Sequence, residues 1–484
     1  MGTADVRKNT IYNAVKSVCG IVYPLITFPY ISRVLLAENI GKINFSGSVV
    51  SYFSLIASLG ISTYAIRECS KYRTDRKKLG DIASEILSIN ICSTFLAYAA
   101  LGFTLLFARP LDAYRELIMI QSLNILFSTL GADWLNSAME DFRYITLRTT
   151  GMQIVSLILM FLFVRRPEDY IRYACISVLS ASGANVINIF YRRRYCRTRL
   201  IFHINWKKHL TPILLLFSLI LSQTIYTSSD TTILGLFKGD IQVGLYGTSV
   251  RIYNIVNTLV ASVALVVMPQ LSAAFSGRDY GKVNELLKYS LNFIIVLGMP
   301  CIVGLNAIAE EIIVLIAGNS YRGAALSLHI LTIALGCSFI GGWIGNMMML
   351  PAGKEKICLR ASIASAAVNV VLNLILIPVW GLNAAAATTA VSEFLSILIL
   401  RPHIDAQVHI RGWRQMLAAP LAGCISIVII SCIVKHFVGS AYLVSVITIV
   451  LSILSYLVIL ILLRNEFALN FLRPIRSRCR RGSS

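Results

Sequence analysis

The chain reads as an all-α polytopic membrane protein of about fourteen transmembrane helices, with both termini on the cytoplasmic side. Three observations lead there. Of 484 residues, 56% are hydrophobic and only 14% charged, with a mean hydropathy of +0.72. A water-solvated chain of this size needs far more charge to cover its surface, so lipid is the solvent for much of it. Apolar stretches close to the roughly 20 residues that a spanning helix needs recur along the whole chain. Basic residues, finally, collect in alternate loops, as the positive-inside rule requires.

The stretches fall near 11–35, 44–66, 83–107, 117–138, 145–164, 170–191 and 212–237, then near 243–268, 289–309, 325–349, 358–379, 383–400, 416–437 and 441–463. With the N-terminus inside, the inside segments hold 32 of the 44 Lys and Arg residues and the outside segments ten; Lys16 and Arg251 lie within helices. A missed or invented helix would swap the side of every later loop and spoil that asymmetry. The same asymmetry absorbs the net charge of +21, which faces anionic headgroups, so nucleic acid is not an expected partner. No small-residue cleavage site follows Met1–Asn9, and no cleaved signal is expected. The cysteines sit in helices or inside segments, and no disulfide is expected.

The chain is built twice. "FSGSVVSYF" from Phe45 aligns with "YGTSVRIYN" from Tyr246, pairing Ser48 with Ser249 and Tyr52 with Tyr253. The same offset of 201 sets Gly80 over Gly281, and "LRTT" from Leu147 sits over "LRAS" from Leu359 at an offset of 212. Six helices is an even number, so both copies run the same way across the membrane, a parallel repeat. The expected division is a lobe over 1–208 (helices 1–6), a second over 209–402 (helices 7–12), and helices 13–14 with a basic tail over 403–484. Substrate sites in duplicated transporters lie between repeats.

Ionisable groups inside a bilayer cost about 2.5–3.5 kcal/mol each on insertion scales, so they face a cavity or a partner. Helix 1 carries Asn9, Asn13, Lys16, Gly20 and Thr27 at helical spacing. Helix 7 carries Ser218, Ser222, Tyr226, Ser229 and Asp230; helix 8 carries Arg251, Asn254, Asn257 and Thr258. Helix 11 adds Asn369 and Asn373, and helix 12 adds Thr389 and Glu393. A cavity lined by Lys16 and Arg251 suits an anionic headgroup, above all a phosphate or pyrophosphate. The bland reading of Lys16 is a lysine that snorkels to the inner surface. Asp230 reads equally as an ion-coupling carboxylate or as the structural partner of Arg251. Glu393 either holds a coupling cation or binds a neighbouring helix. Glu85, Asp133 and Glu140 fall near helix ends and read as interfacial. No glycine-rich phosphate loop, zinc-protease motif or nucleophile elbow is present, and the histidines (His203, His209, His403 and His409 among them) lie chiefly in loops, so no catalysis and no cofactor are expected.

Several segments carry a family likeness. "IGKINFSGSVVSYFSLIASLGISTYAIRE" (40–68), "DWLNSAMEDFRYITLR" (133–148), "DTTILGLFKGDIQVGLY" (230–246), "MPQLSAAF" (268–275), "MLPAGKEK" (349–356) and "LNLILIPVWGLNAAAATTAVSE" (372–393) resemble Wzx-type polysaccharide repeat-unit flippases. The likeness covers roughly residues 9–465. It implies the polysaccharide transporter branch of the multidrug/oligosaccharidyl-lipid/polysaccharide exporter superfamily, whose members pair two six-helix lobes in a V. It also implies an inner-membrane protein that moves an undecaprenyl-pyrophosphate-linked oligosaccharide to the outer leaflet by alternating access, for assembly into O-antigen, capsule or exopolysaccharide. Polysaccharide polymerase and chain-length machinery are then expected partners, with H+ or Na+ as coupling ions. Carried onto this chain, Lys16 and Arg251 become headgroup contacts, joined by Asn13, Asn254 and Asn257, with Arg33 and Arg67 at opposite ends. Asp230 matches an acidic position of the family. Peptidoglycan-precursor flippases usually carry several arginines in the first two helices, whereas only Lys16 lies inside helix 1 here. The alternatives are a cation-coupled multidrug exporter of the same superfamily and a non-transport membrane enzyme or scaffold of polysaccharide assembly.

Overall fold

The structure, a computed structural model, describes residues 3–201, 206–410 and 412–465. Arg411 and the basic tail from Arg473 to Arg481, counted above with the inside face, lie outside them. The chain is 89% helical, and no strand occurs among the described residues. It forms two compact units, Met1–Gly244 and Leu245–Ser484.

Unit 1 holds α1 (Thr3–Ser58), α2 (Ile61–Cys69), α3 (Arg76–Phe107), α4 (Arg115–Gly131), α5 (Trp134–Ala138), α6 (Phe142–Phe163), α7 (Tyr170–Val178), α8 (Ala184–Tyr191) and α9 (Trp206–Lys238). The chain crosses into unit 2 within α10 (Asp240–Ala261) and continues through α11 (Val263–Ser276), α12 (Tyr280–Ala307), α13 (Ala309–Ala317), α14 (Ala325–Gly342), α15 (Glu355–Trp380), α16 (Leu382–Leu400), α17 (Trp413–Phe437) and α18 (Ala441–Leu462). The seventh apolar stretch, α9, therefore packs with the six before it. The last two helices are fastened within unit 2: Tyr456 of α18 donates to the Val296 carbonyl at 2.7 Å, and Lys435 of α17 pairs with Glu311 at 2.8 Å.

Eleven described segments are long and apolar enough to cross a membrane, or twelve if Asp240–Ala261 and Val266–Ser276, bent by 48°, form one span. The difference from fourteen lies in two places. The run Ile11–Tyr72 counts once although it has 62 residues, about 93 Å at the helical rise and some three times the hydrocarbon thickness. Its first helix breaks at Leu36 (φ 62°, ψ 172°). The other place is α4, which has only 17 residues.

Matching punctuation recurs in the two units. Asp75 caps α3 through the amides of Lys77 and Lys78, and Asp279 caps α12 through that of Lys282, satisfying donors that a helix start leaves open. Six-residue 3-10 turns, Arg109–Tyr114 and Asn319–Ala324, lead directly into α4 and α14. The second halves of helices differ more: α7 and α8 are joined by a π turn at Leu179–Gly183, and α14 runs into another at Trp343–Met349.

Within unit 1, the second half of α1 meets α9 and the start of α10 through small and hydroxyl side chains. A Cβ on Gly41 would overlap the Asp240 carbonyl, one on Gly244 the Ala37 carbonyl, and one on Gly235 the Phe45 ring. Beside them Ser51 donates to Ser228 (2.9 Å), Thr232 donates to Ser48 (2.8 Å), and Tyr52 meets Thr232 at 3.1 Å. Close backbone approach plus interhelical hydrogen bonds is what holds helices together where lipid removes the hydrophobic driving force. Replacing Gly41 by Ala forces the two backbones apart, an overpacking cost of about 1–3 kcal/mol. A thermal-unfolding assay on the detergent-solubilised protein should show a clear drop in Tm for Gly41→Ala. Gly20→Ala, where nothing lies within 4 Å of the new methyl, should leave Tm unchanged or slightly raised.

Candidate functional site

Helix 1 is the first half of α1, and its apolar side chains are open: Ile11, Val15, Val18, Val22 and Ile26 are all exposed. On this open stretch Asn13 is exposed and Lys16 half-buried. Lys16 makes no ion pair among the described residues. The expected stripe does not share one environment, because Thr27 is buried while Gly20 is exposed; Pro24 lies between them and Pro29 just beyond. Arg33 is exposed, and its guanidinium donates to the Pro29 carbonyl at 2.5 Å. It stands seventeen residues, about 25 Å of helical rise, from Lys16. Arg67 is exposed on α2, 3.6 Å from Glu68 and over the Tyr64 ring at 5.7 Å. Lys16, Arg33 and Arg67 thus occupy three separate places in unit 1.

Asp230 on α9 is buried, next to the hydroxyl-rich crossing with α1 and within electrostatic reach of Tyr52. In unit 2, Arg251 on α10 is half-buried and faces Tyr321, a fully buried residue of the 3-10 turn before α14. Asn254 is exposed and Asn257 half-buried. Glu393 on α16 is half-buried beside Tyr253, whose hydroxyl also reaches Ser338. The sequence repeat pairs Tyr52 with Tyr253, and each of these tyrosines sits by a carboxylate. Asn369 and Asn373 are fully buried and bridge to Thr388 (Asn373 to Asn369 3.0 Å, Thr388 to Asn373 2.5 Å), so they fasten α15 to α16 and line no opening.

Sequence reasoning missed the polar core of unit 1. His209 is not in a loop: it lies inside α9, fully buried, with Nδ1 at 2.7 Å from the Tyr64 hydroxyl and Nε2 at 2.5 Å from Glu85. Arg148 is a buried cation, its side chain 2% exposed, paired with Asp133 at 2.5 Å. Its Nε and Nη1 have no hydrogen-bond partner among the described residues, and Tyr144 lies under the guanidinium at 5.1 Å. Glu140 pairs with Arg73, while Asp141 accepts from Tyr191 (2.9 Å) and Tyr195 (2.7 Å). Burial and the Asp141 carboxylate push the Tyr195 hydroxyl well above its ordinary value, and burial pushes the neighbouring Cys196 thiol up to about 11. Both groups are therefore neutral, and Cys196 is inert rather than nucleophilic. The available signal was the density of Asp, Arg and Tyr over 133–148, which in a membrane chain asks for partners. No group of three or more metal-ligating side chains occurs among the described residues.

The described residues thus form an all-helical membrane fold in which Lys16 makes no ion pair on an open helix face while Arg148, Arg73 and Lys435 are paired with carboxylates. Residues 6–275 match the family described as polysaccharide biosynthesis protein, and the chain belongs to that family. A Shigella dysenteriae protein named for O-antigen transport is 22% identical over 81% of this chain and 98% of its own length. The Staphylococcus aureus capsular polysaccharide biosynthesis protein CapF is 21% identical over 81% of this chain and 97% of its own. Among solved structures, the lipid II flippase MurJ in an inward closed conformation shares the fold, with a TM-score of 0.74 at 17% identity, covering 95% of this chain and 99% of its own. An inward-facing multidrug transporter of the MATE family gives 0.57 at 12% identity over 80% of this chain and 98% of its own.

The Arg148–Asp133 pair provides a structural test. Asp133→Ala strands a buried guanidinium and should cost about 3 kcal/mol or more, read as a fall in Tm and in yield of folded protein. Adding Arg148→Met should recover most of the loss; an additive double mutant would mean that the two side chains are not coupled.

Proposed function

We propose that the protein is a flippase of the cytoplasmic (inner) membrane that carries an undecaprenyl-pyrophosphate-linked oligosaccharide, a polysaccharide repeat unit, from the cytoplasmic to the outer leaflet by alternating access. Lys16 carries this reading. It is a cation at membrane depth, half-exposed and without an ion pair among the described residues, in a family whose matched members are named for O-antigen transport, capsule synthesis and glycan flipping. A lysine or arginine at such a depth favours an anionic headgroup by charge-assisted hydrogen bonding. Each unit offers one cation, Lys16 and Arg251, with Asn13, Asn254 and Asn257 as candidate sugar or phosphate contacts. Arg33 and Arg67 serve entry and exit. Fourteen crossings with both termini inside is the topology adopted here, and no nucleotide or cofactor takes part. The substrate's polymerase and chain-length machinery are its proposed partners.

A cation-coupled drug exporter is the second reading, favoured by the buried or half-buried carboxylates Asp230 and Glu393, each beside a tyrosine. In the flippase reading the same two side chains are the sites for a coupling H+ or Na+.

Translocation in proteoliposomes separates the two. A fluorescent polyprenyl-pyrophosphate oligosaccharide should lose protection from an impermeant quencher only when protein is present. Lys16→Ala and Arg251→Ala should each slow that loss by about ten- to hundredfold, the worth of a hydrogen bond to a charged group. Unchanged rates in the double variant would remove these residues from the site; proton-dependent dye efflux with no glycolipid movement would favour the exporter.

A further inference from the structure

At one end of unit 2 the start of α12, the start of α17 and the end of α18 enclose a cavity of about 330 Å³. Lys288 and Asn292 of α12 line it, with Met416, Ala418 and Ala419 of α17 and Leu463, Arg464 and Asn465 at the exit from α18. A shallower recess lined by Asn284, Glu285, Lys288 and His409 adjoins it and shares Lys288. The chain folds over this recess because Asn284 holds the loop, donating to the Gln407 carbonyl (3.3 Å) and accepting from the His409 amide (3.0 Å).

Three features set the cavity apart from ordinary surface. Among the described residues no acidic side chain lines it, and Glu285 belongs to the adjoining recess. Neither Lys288 nor Arg464 has an ion pair among the described residues. The Asn292 Oδ1 is buried and has no hydrogen-bond donor there. A further feature concerns the backbone. The Asn465 amide bonds to the Leu460 carbonyl (2.9 Å) and the Arg464 amide to the Ile461 carbonyl (3.1 Å), a helix-ending pair that places Arg464 at the left-handed position (φ 51°). Glycine is the residue that position favours. An arginine there adds backbone strain but sets a guanidinium at the mouth of the cavity, just where the apolar run of α18 ends.

We propose that this cavity holds the headgroup of an anionic phospholipid, its phosphate between Lys288 and Arg464 and a headgroup hydroxyl or ammonium donating to Asn292. Membrane depth selects lipid over a soluble anion. The walls pass from the polar start of α12 to the apolar Met416, Ala419 and Leu463, so a phosphate and the first carbons of its chains meet matching surface. Basic pockets between transmembrane helices at headgroup level are a recurring way to hold anionic lipid. The site lies wholly within unit 2 and does not depend on the transport reading.

Native mass spectrometry of the purified full-length protein, with dioleoylphosphatidylglycerol, dioleoylphosphatidylcholine or inorganic phosphate added, tests it. One phosphatidylglycerol should be retained in preference to phosphatidylcholine, and millimolar phosphate should not displace it. Lys288→Gln and Arg464→Gly should each weaken retention by about fivefold. Arg464→Gly should do so with Tm unchanged or raised, since glycine relieves the left-handed residue, which separates lost binding from lost folding. Lys282→Gln, six residues earlier on α12 and outside the cavity, should retain lipid like the parent. Equal retention of both lipids, displacement by free phosphate, or full retention in Arg464→Gly would each overturn the assignment.

Discussion

Hydrocarbon offers no hydrogen bonds, and every backbone amide and carbonyl that enters it must find a partner in its own segment or a neighbour. That constraint explains why the described residues form helix and no strand, and it also says where helix is allowed to fail. Leu36, Leu59 and Gly60, Ala132 and Gly381 depart from helical geometry, and the local bonds close up around them: Leu59 to Leu55, Ala132 to Ser128, Gly381 to Ile377. The polar side chains near these breaks are spent on the same problem. Gln121 donates to the Ile43 carbonyl, Asn90 and Ser93 to that of Ala57, and Asn188 to that of Gly131. Much of the polarity that looks functional in a membrane sequence therefore serves the backbone.

The fold class was legible because its signals are long-range and redundant: composition, the spacing of apolar runs, and the alternation of basic loops all report the solvent. What stayed hidden is which polar residue meets which. Asn369 and Asn373 stood in the sequence beside Asn254 and Asn257 as equals. Packing separates them, sealing the first pair against Thr388 while the second pair stays open to differing degrees. His209 looked like a loop residue because the turn toward α9 is basic and short. Its place between Tyr64 and Glu85 depends on residues 145 and 124 positions away, a distance at which no local pattern carries information. Helix ends suffered similarly: the second apolar stretch reads as continuous to residue 66, yet the chain turns at Leu59–Gly60, where Gly60 lies against Leu216.

The pairing of charges sorts the ionisable residues more sharply than their depth does. Arg148, Arg73 and Lys435 all have carboxylate partners; for the buried Arg148, removing that partner leaves an expensive unpaired charge. Lys16 differs in kind. It lies in an apolar run long enough to span, is partly exposed, and makes no ion pair among the described residues; a charge in such a run calls for water or a partner. In the proposed flippase, a cargo headgroup at Lys16 would bind without first breaking an internal pair, so binding free energy would not be consumed by displacement.

That same sparseness bears on direction. A pyrophosphate diester carries about two negative charges, and an inside-negative potential favours outward passage by about 2.3 kcal/mol per charge for each 100 mV. Protein cations that travel with the headgroup cancel that gain one for one, so a dense basic cluster would leave the potential nothing to act on. In the proposed cycle, a headgroup held by Lys16 alone keeps net negative charge and the membrane potential acts on it, whereas one held by both Lys16 and Arg251 is close to neutral. Binding alone confers no direction on a carrier that holds both leaflet forms equally. In that proposed cycle, then, the number of cations that hold the headgroup sets how much direction the potential supplies, and Asp230 and Glu393 supply what it does not.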